Sequence, residues 1–164
     1  MQIVEYNRQK AKEYAKKWAY LRNPNYYDYD KLGGDCTNFV SQCIFAGALH
    51  MNYSQANGWY YKNANQKSPS WTGVEFLHQF LTQNKSVGPF GKIVDIDKLQ
   101  VGDIIQLSFD GNVYGHSLLV VEKNANNLEK IYVATHTFDS YGRKVSSYIY
   151  QKIRMIHIEG VRKW

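Results

Sequence analysis

Cysteine and proline are scarce in this chain: of 164 residues, two are cysteines, Cys36 and Cys43, and three are prolines. The cysteines stand seven positions apart in what reads as one helix. That spacing is a rise of roughly 10 Å, more than a disulfide spans, so both thiols are expected to be free and no structural bond accounts for Cys36. Long apolar runs are absent as well. Nothing approaches the roughly 18 apolar residues of a membrane span, and Met1 to Lys10 carries no apolar signal core, so neither a span nor a signal peptide is expected. Also missing are His-Glu-x-x-His, Cys-x-x-Cys and any other close-spaced ligand pair. Cys36, His116 and His136 together would supply three zinc ligands, but without a close pair no metal and no cofactor is expected. No repeat, low-complexity tract or linker divides the chain. At this length it is expected to form one domain, residues 1–164, able to bury a core without staples.

Hydrophobic residues make up 44% and charged residues 21%, close to globular averages, which excludes a disordered or membrane-embedded chain. Aromatic residues reach 15%, with 14 tyrosines and 4 tryptophans, more than a small core needs. Some rings are therefore expected to face a groove, with Trp59, Tyr60, Tyr61 and Trp71 as candidates. The net charge of +6 is spread along the chain. Charge so diffuse suits nucleic acid, anionic membrane, anionic cell-wall polymer and a plain soluble surface alike.

Ala11, Ala15, Trp18 and Ala19 recur at helical spacing and predict an amphipathic helix within Tyr6 to Tyr20. Asn23-Pro24-Asn25-Tyr26-Tyr27-Asp28-Tyr29-Asp30 breaks that period and reads as an aromatic loop. Gly33-Gly34 then leads to Asp35, a capping residue, and to a second period on Cys36, Phe39, Val40, Cys43 and Ile44, with Gly47 as terminator. Asn52 to Ser70 reads as a surface loop, and Thr72-Gly73-Val74-Glu75 as a capping box opening a third helix that ends near Asn84. Beyond Gly91 the runs Lys92–Asp95, Asp103–Phe109, His116–Val121, Ile131–His136, Lys144–Tyr150 and Lys152–Ile158 predict an antiparallel meander. Helices first and a sheet after is an α+β architecture.

Cys36 at a helix start suggests a nucleophile, because the thiolate is the reactive form and the positive end of a helix stabilises it. Cys43, one repeat deeper on the same face, reads as core. Of the five histidines, His116 heads a run apolar on both faces, the mark of a central strand, and is the expected base. His50, His78 and His157 read as loop, helix and C-terminal surface residues. A third group must orient the base. His136 fills that role if its strand pairs with that of His116 through Val120 or Val121 against Ile131 or Tyr132; Asp139 is its rival. The oxyanion needs donors. The Cys36 N–H is one, and Asn25, Tyr26 and Tyr27 are candidates for the other.

The segment Gly34-Asp35-Cys36-Thr37-Asn38-Phe39-Val40-Ser41-Gln42, with Asn23-Pro24-Asn25-Tyr26 before it and Gly102-Asp103-Ile104-Ile105-Gln106 and Tyr114-Gly115-His116-Ser117 after it, resembles the putative amidase domain family. That family is related to papain-like peptidoglycan hydrolases such as the CHAP and NlpC-type domains. The resemblance implies a papain-like fold with N-terminal helices packed on a C-terminal antiparallel β-sheet, and a triad matching Cys36, His116 and His136. It further implies a cell-wall hydrolase, of the kind found in phage endolysins and autolysins, that cuts an amide bond in peptidoglycan: the muramoyl–alanine link or one in the peptide stem. Its partner is expected to be bacterial peptidoglycan, met at the cell wall by a monomer without nucleic-acid or membrane partners. Papain's glutamine before the nucleophile has no counterpart ahead of Cys36. Two rivals remain: a toxin-like protease or deamidase acting on a protein, and a wall-binding module without catalysis.

Overall fold

The computed structural model describes all 164 residues. Strand β1 (Gln2–Val4) leads into helix α1 (Arg8–Trp18), whose first turn is fixed by the Asn7 side chain accepting from the Lys10 N–H at 3.0 Å. Ala11, Ala15 and Ala19 line its inner face, fully buried. These short side chains let α1 lie against helix α2 (Cys36–Ala48), which is buried on nearly every side. Gly47 does not terminate α2 as its position suggests; the turn out of the helix is made by Leu49 at φ 58°. Gly47 is small for another reason: a Cβ there would lie 2.6 Å from the Tyr6 ring.

The segment Asn52 to Ser70 is more ordered than its polarity suggests. Strands β2 (Tyr61–Asn63) and β3 (Gln66–Lys67) form a separate hairpin. Trp59 and Trp71 are fully buried with ring centroids 4.8 Å apart. Their indole N–H groups donate to Ser41 Oγ (3.1 Å) and Asn38 Oδ1 (2.9 Å), both on α2. These rings anchor the segment to the helix instead of facing a groove, and Tyr61 is buried beside them. Helices α3 (Pro69–Thr72) and α4 (Val74–Gln83) follow. The expected capping box does not form: Gly73 precedes α4, Thr72 Oγ1 accepts from Lys67 Nζ, and Glu75 turns to His78 and Arg154.

The remaining strands are β4 (Gly88–Ile93), β5 (Ile104–Ser108), β6 (His116–Lys123), β7 (Ile131–Thr135), β8 (Ser140–Lys144) and β9 (Lys152–Lys163). They form one antiparallel sheet ordered β1-β9-β5-β6-β7-β8, with β4 also on β9. The architecture is α+β, but the meander holds only from β5 to β8, because β9 returns to pair with β5. β9 outruns its expected end at Ile158 since its second half pairs with β1 and β4. Lys144 to Tyr150 is not a strand; a 3-10 turn at Val145–Ser147 occupies it.

Both faces of the sheet are covered. Ile104, Leu119, Val121, Ala134, Ile156 and Ile158 pack toward the helices. Ile105, Leu107, Leu118, Val120, Ile131, Val133 and Met155 form a second core with Leu99 and Val145 on the opposite side. Along β6 odd residues therefore face the helices and even residues face away, as the two-residue period of a strand requires. This parity decides which side chains meet at the site.

β7 and β8 are joined through Thr137 and Phe138, both in the left-handed region at φ 62° and 59°. Two such residues make the mirror-image turn that suits strand twist, a place where Asn-Gly is usual. Phe138 is 85% exposed, so no packing offsets a strain of roughly 1–2 kcal/mol. Phe138→Gly is expected to raise unfolding stability by about 1 kcal/mol in a urea titration; a loss of stability would show that the exposed ring carries contacts of its own.

Candidate active site

The start of α2 is held by a buried polar cluster. Gly34 has φ 103°, and a Cβ there would lie 3.1 Å from Thr137 Oγ1, so only glycine lets the β7–β8 turn come this close. The Asp35 N–H donates to that same hydroxyl at 3.1 Å. Asp35 is buried and makes no side-chain cap to its own helix. Its carboxylate instead accepts from the Tyr29 N–H (2.8 Å) and Asn38 Nδ2 (2.8 Å) on one oxygen and faces His136 Nδ1 (2.5 Å) on the other. Asn38 Nδ2 also donates to the Tyr27 carbonyl (2.9 Å), which stitches the aromatic loop to the helix.

Cys36 is the first residue of α2 and is 7% exposed. Thr37 Oγ1 lies 3.7 Å from its sulfur and 2.9 Å from Ser117 Oγ. Burial pushes the thiol above its ordinary range and the Asp35 carboxylate adds to the rise, against the Ser117 N–H and the Thr37 hydroxyl and N–H, which pull it down. The helix start does not leave a resting thiolate, contrary to the expectation from position alone, because desolvation outweighs it.

His116 opens β6 one residue before Ser117 and is 6% exposed. Its ring packs beside Phe109 (6.0 Å) and Tyr148 (5.9 Å). Burial, and then the nearby Arg143 cation, push the imidazole down to about 4. Cys36 and His116 are thus neighbours through Ser117, both uncharged at neutral pH, with no hydrogen bond joining them.

His136 does not orient His116. Its Nδ1 faces Asp35 and its Nε2 faces the Trp18 carbonyl at 2.8 Å, while its ring stacks on Phe39 at 4.1 Å. The cause is strand parity: Val120 pairs with Val133 and Leu119 with Ala134, which sets His136 on the helix side with Ser117 and leaves His116 on the other. Asp139 is no substitute, since both its oxygens accept from Arg22 at 3.0 Å. Arg22 also reaches Asp28 and Asp30 and lies 3.8 Å from Asp35. Nowhere do three His, Cys, Asp or Glu side chains converge as metal ligands do.

Among the other candidates, Asn25 is exposed, its N–H bonded to Asn23 Oδ1. Tyr26 stacks on Trp71 at 5.9 Å and packs against the core. Sequence reasoning missed Ser117, Asn38, Arg143 and Tyr148. Ser117 and Asn38 were visible as polar residues inside the two motifs; Arg143 and Tyr148 carry no local signal. A groove of about 560 Å³ lies elsewhere, lined by amide and hydroxyl side chains such as Asn57, Gln79 and Gln83 with Phe76 and Phe80.

The sequence matches the putative amidase domain family over residues 5–159. The uncharacterized protein YhbB of Bacillus subtilis (strain 168) is 32% identical over 139 residues, covering 83% of this chain and 43% of that protein. The chain thus spans less than half the length of that relative. No solved structure matches.

Proposed function

Because the chain belongs to the putative amidase domain family, whose description denotes amide hydrolysis, we propose that it is a cysteine-dependent peptidoglycan hydrolase, with Cys36 as nucleophile and His116 as general base. The observation that carries this reading is a cysteine on the first turn of a helix with the Ser117 N–H aimed at its sulfur and a histidine as the preceding strand residue. A helix bearing the nucleophile, packed on an antiparallel sheet whose strand starts at the base, also supports kinship with the papain-like CHAP and NlpC-type hydrolases. Residues 1–164 act as one catalytic domain at the bacterial wall, as a monomer.

Both groups begin neutral. His116 therefore takes the thiol proton as sulfur adds to the amide carbon, and returns it to the amine as the carbon–nitrogen bond breaks. Water then attacks the thioester by the same route and frees the acid. His136 and Asp35 hold the helix start in place. The +6 charge favours an anionic wall.

Mass spectrometry of muropeptides from purified Gram-positive walls tests this. New N-terminal alanine beside a free lactyl group identifies an amidase, a break inside the stem an endopeptidase, and Cys36→Ala is expected to release neither. Intact walls together with thiol-dependent release of ammonia from a protein substrate would assign the chemistry to a protein deamidase instead.

A further inference from the structure

The Tyr148 hydroxyl is one of the few buried polar atoms in the molecule without a hydrogen-bond partner. Its ring lies 5.9 Å from that of His116, on the face of the sheet to which His116 points. The Arg143 guanidinium lies 3.7 Å over the ring, held there by Ser147 Oγ at 2.8 Å; it can only donate, so the phenol's own hydrogen finds no acceptor. Burying a donor with nothing to donate to costs free energy, so folds retain such a group where a partner arrives later. The partner that arrives beside His116 is the substrate.

We propose that Tyr148 is a catalytic residue that donates its phenolic hydrogen to the carbonyl oxygen of the scissile amide, completing the oxyanion site with the Cys36 N–H. This rests on the reading of Cys36 and His116 as nucleophile and base. When sulfur bonds to the carbonyl carbon, the π pair moves onto oxygen. That oxygen accepts from Tyr148 and from the Cys36 N–H until the pair returns and the carbon–nitrogen bond breaks, the amine leaving with the proton His116 carried. The phenol must stay protonated to serve, and burial keeps it so by raising its value above the ordinary one, outweighing the nearby Arg143 cation, which pulls it down. Of the three candidates from the loop before Cys36, Asn25 and Tyr27 are exposed and Tyr26 is stacked into the core.

Tyr148→Phe keeps the ring against His116 and under Arg143 and removes only the hydroxyl. With purified Gram-positive walls and soluble muropeptides, its kcat is expected to fall roughly 100- to 1000-fold, the cost of one oxyanion donor, with KM little changed. Iodoacetamide alkylation of Cys36, which forms no oxyanion, is expected to proceed at the wild-type rate. Because the lost hydroxyl had no partner, the variant's Tm is expected to rise by roughly 2–4 °C. Wild-type turnover in Tyr148→Phe alongside an inactive Cys36→Ala overturns the proposal and leaves the nucleophile standing, whereas an active Cys36→Ala overturns the underlying reading. A fall in alkylation matching the fall in turnover, or a lowered Tm, also overturns it, because the hydroxyl would then serve the thiol or the fold.

Discussion

His116→Ala is expected to fold, to keep a Cys36 that alkylates, and to release muropeptides at least about 10⁴-fold more slowly than the wild type, the loss typical when a nucleophile's base is removed. The size follows from the resting state. With the thiol pushed up by burial and the imidazole held down to about 4, a proton does not move between them in advance, and attack depends on a base in place as the carbon–sulfur bond forms. The same value sets the acid limb. An ordinary imidazole loses its basicity near pH 6.5, but here turnover should persist through pH 5 and decline as pH falls through about 4. Stability follows the same sign. The folded-state value lies below the unfolded one, so the unfolded chain binds the extra proton. Stability present above pH 6.5 is then lost as pH falls toward 4, by up to about 3 kcal/mol. Denaturant titrations at pH 7 and pH 4.5 should show this loss in the wild type and a smaller one in His116→Gln. An acid limb near pH 6.5 would show that the imidazole is not shielded as its burial requires.

Asp35→Ala is expected to destabilise the protein by about 3–5 kcal/mol, the range for removing one partner of a buried charge pair, and to lay Cys36 open to reagents besides. The substitution strips acceptors from the Tyr29 N–H, Asn38 Nδ2 and His136 Nδ1 at once and leaves Arg22 one carboxylate poorer. Urea unfolding measures the first effect. For the second, alkylation of Cys36 is expected to become faster than in the wild type even where the fold persists, since a loosened helix start exposes the sulfur. Asp35→Asn keeps the acceptor oxygen and should lose less. If Asp35→Ala unfolds at wild-type urea, the cluster contributes nothing and the helix start is held elsewhere.

The pattern of apolar residues was enough to place α1, α2, α4 and the run from β5 to β7, because each buries a face whose period is written in Leu, Ile, Val and Ala. It was not enough for β4, where Gly88, Pro89 and Gly91 are poor strand formers that pairing with β9 holds in place. Nor did it show that Trp59 and Trp71 turn inward, since their anchoring depends on Ser41 and Asn38. Cys36 and His116 were legible through motif and strand position. The role of His136 was misread for a definite reason: the expected pairing brought it to the correct end of the correct strand, but facing residues share parity, and His116 lies one step off. Tyr148 was illegible because its 3-10 turn reaches the site only through the sheet.

The helix start bearing residue 36 is fastened by residues 136 and 137, about a hundred positions downstream. A polypeptide truncated before the β7–β8 hairpin would contain both sulfur and imidazole, linked through Thr37 and Ser117, yet lack the contacts that lock the helix start. Chemical competence therefore emerges late, with closure of the longest-range contacts, so hydrolytic activity itself is a reporter of complete folding, and partly folded chains should be inert toward walls.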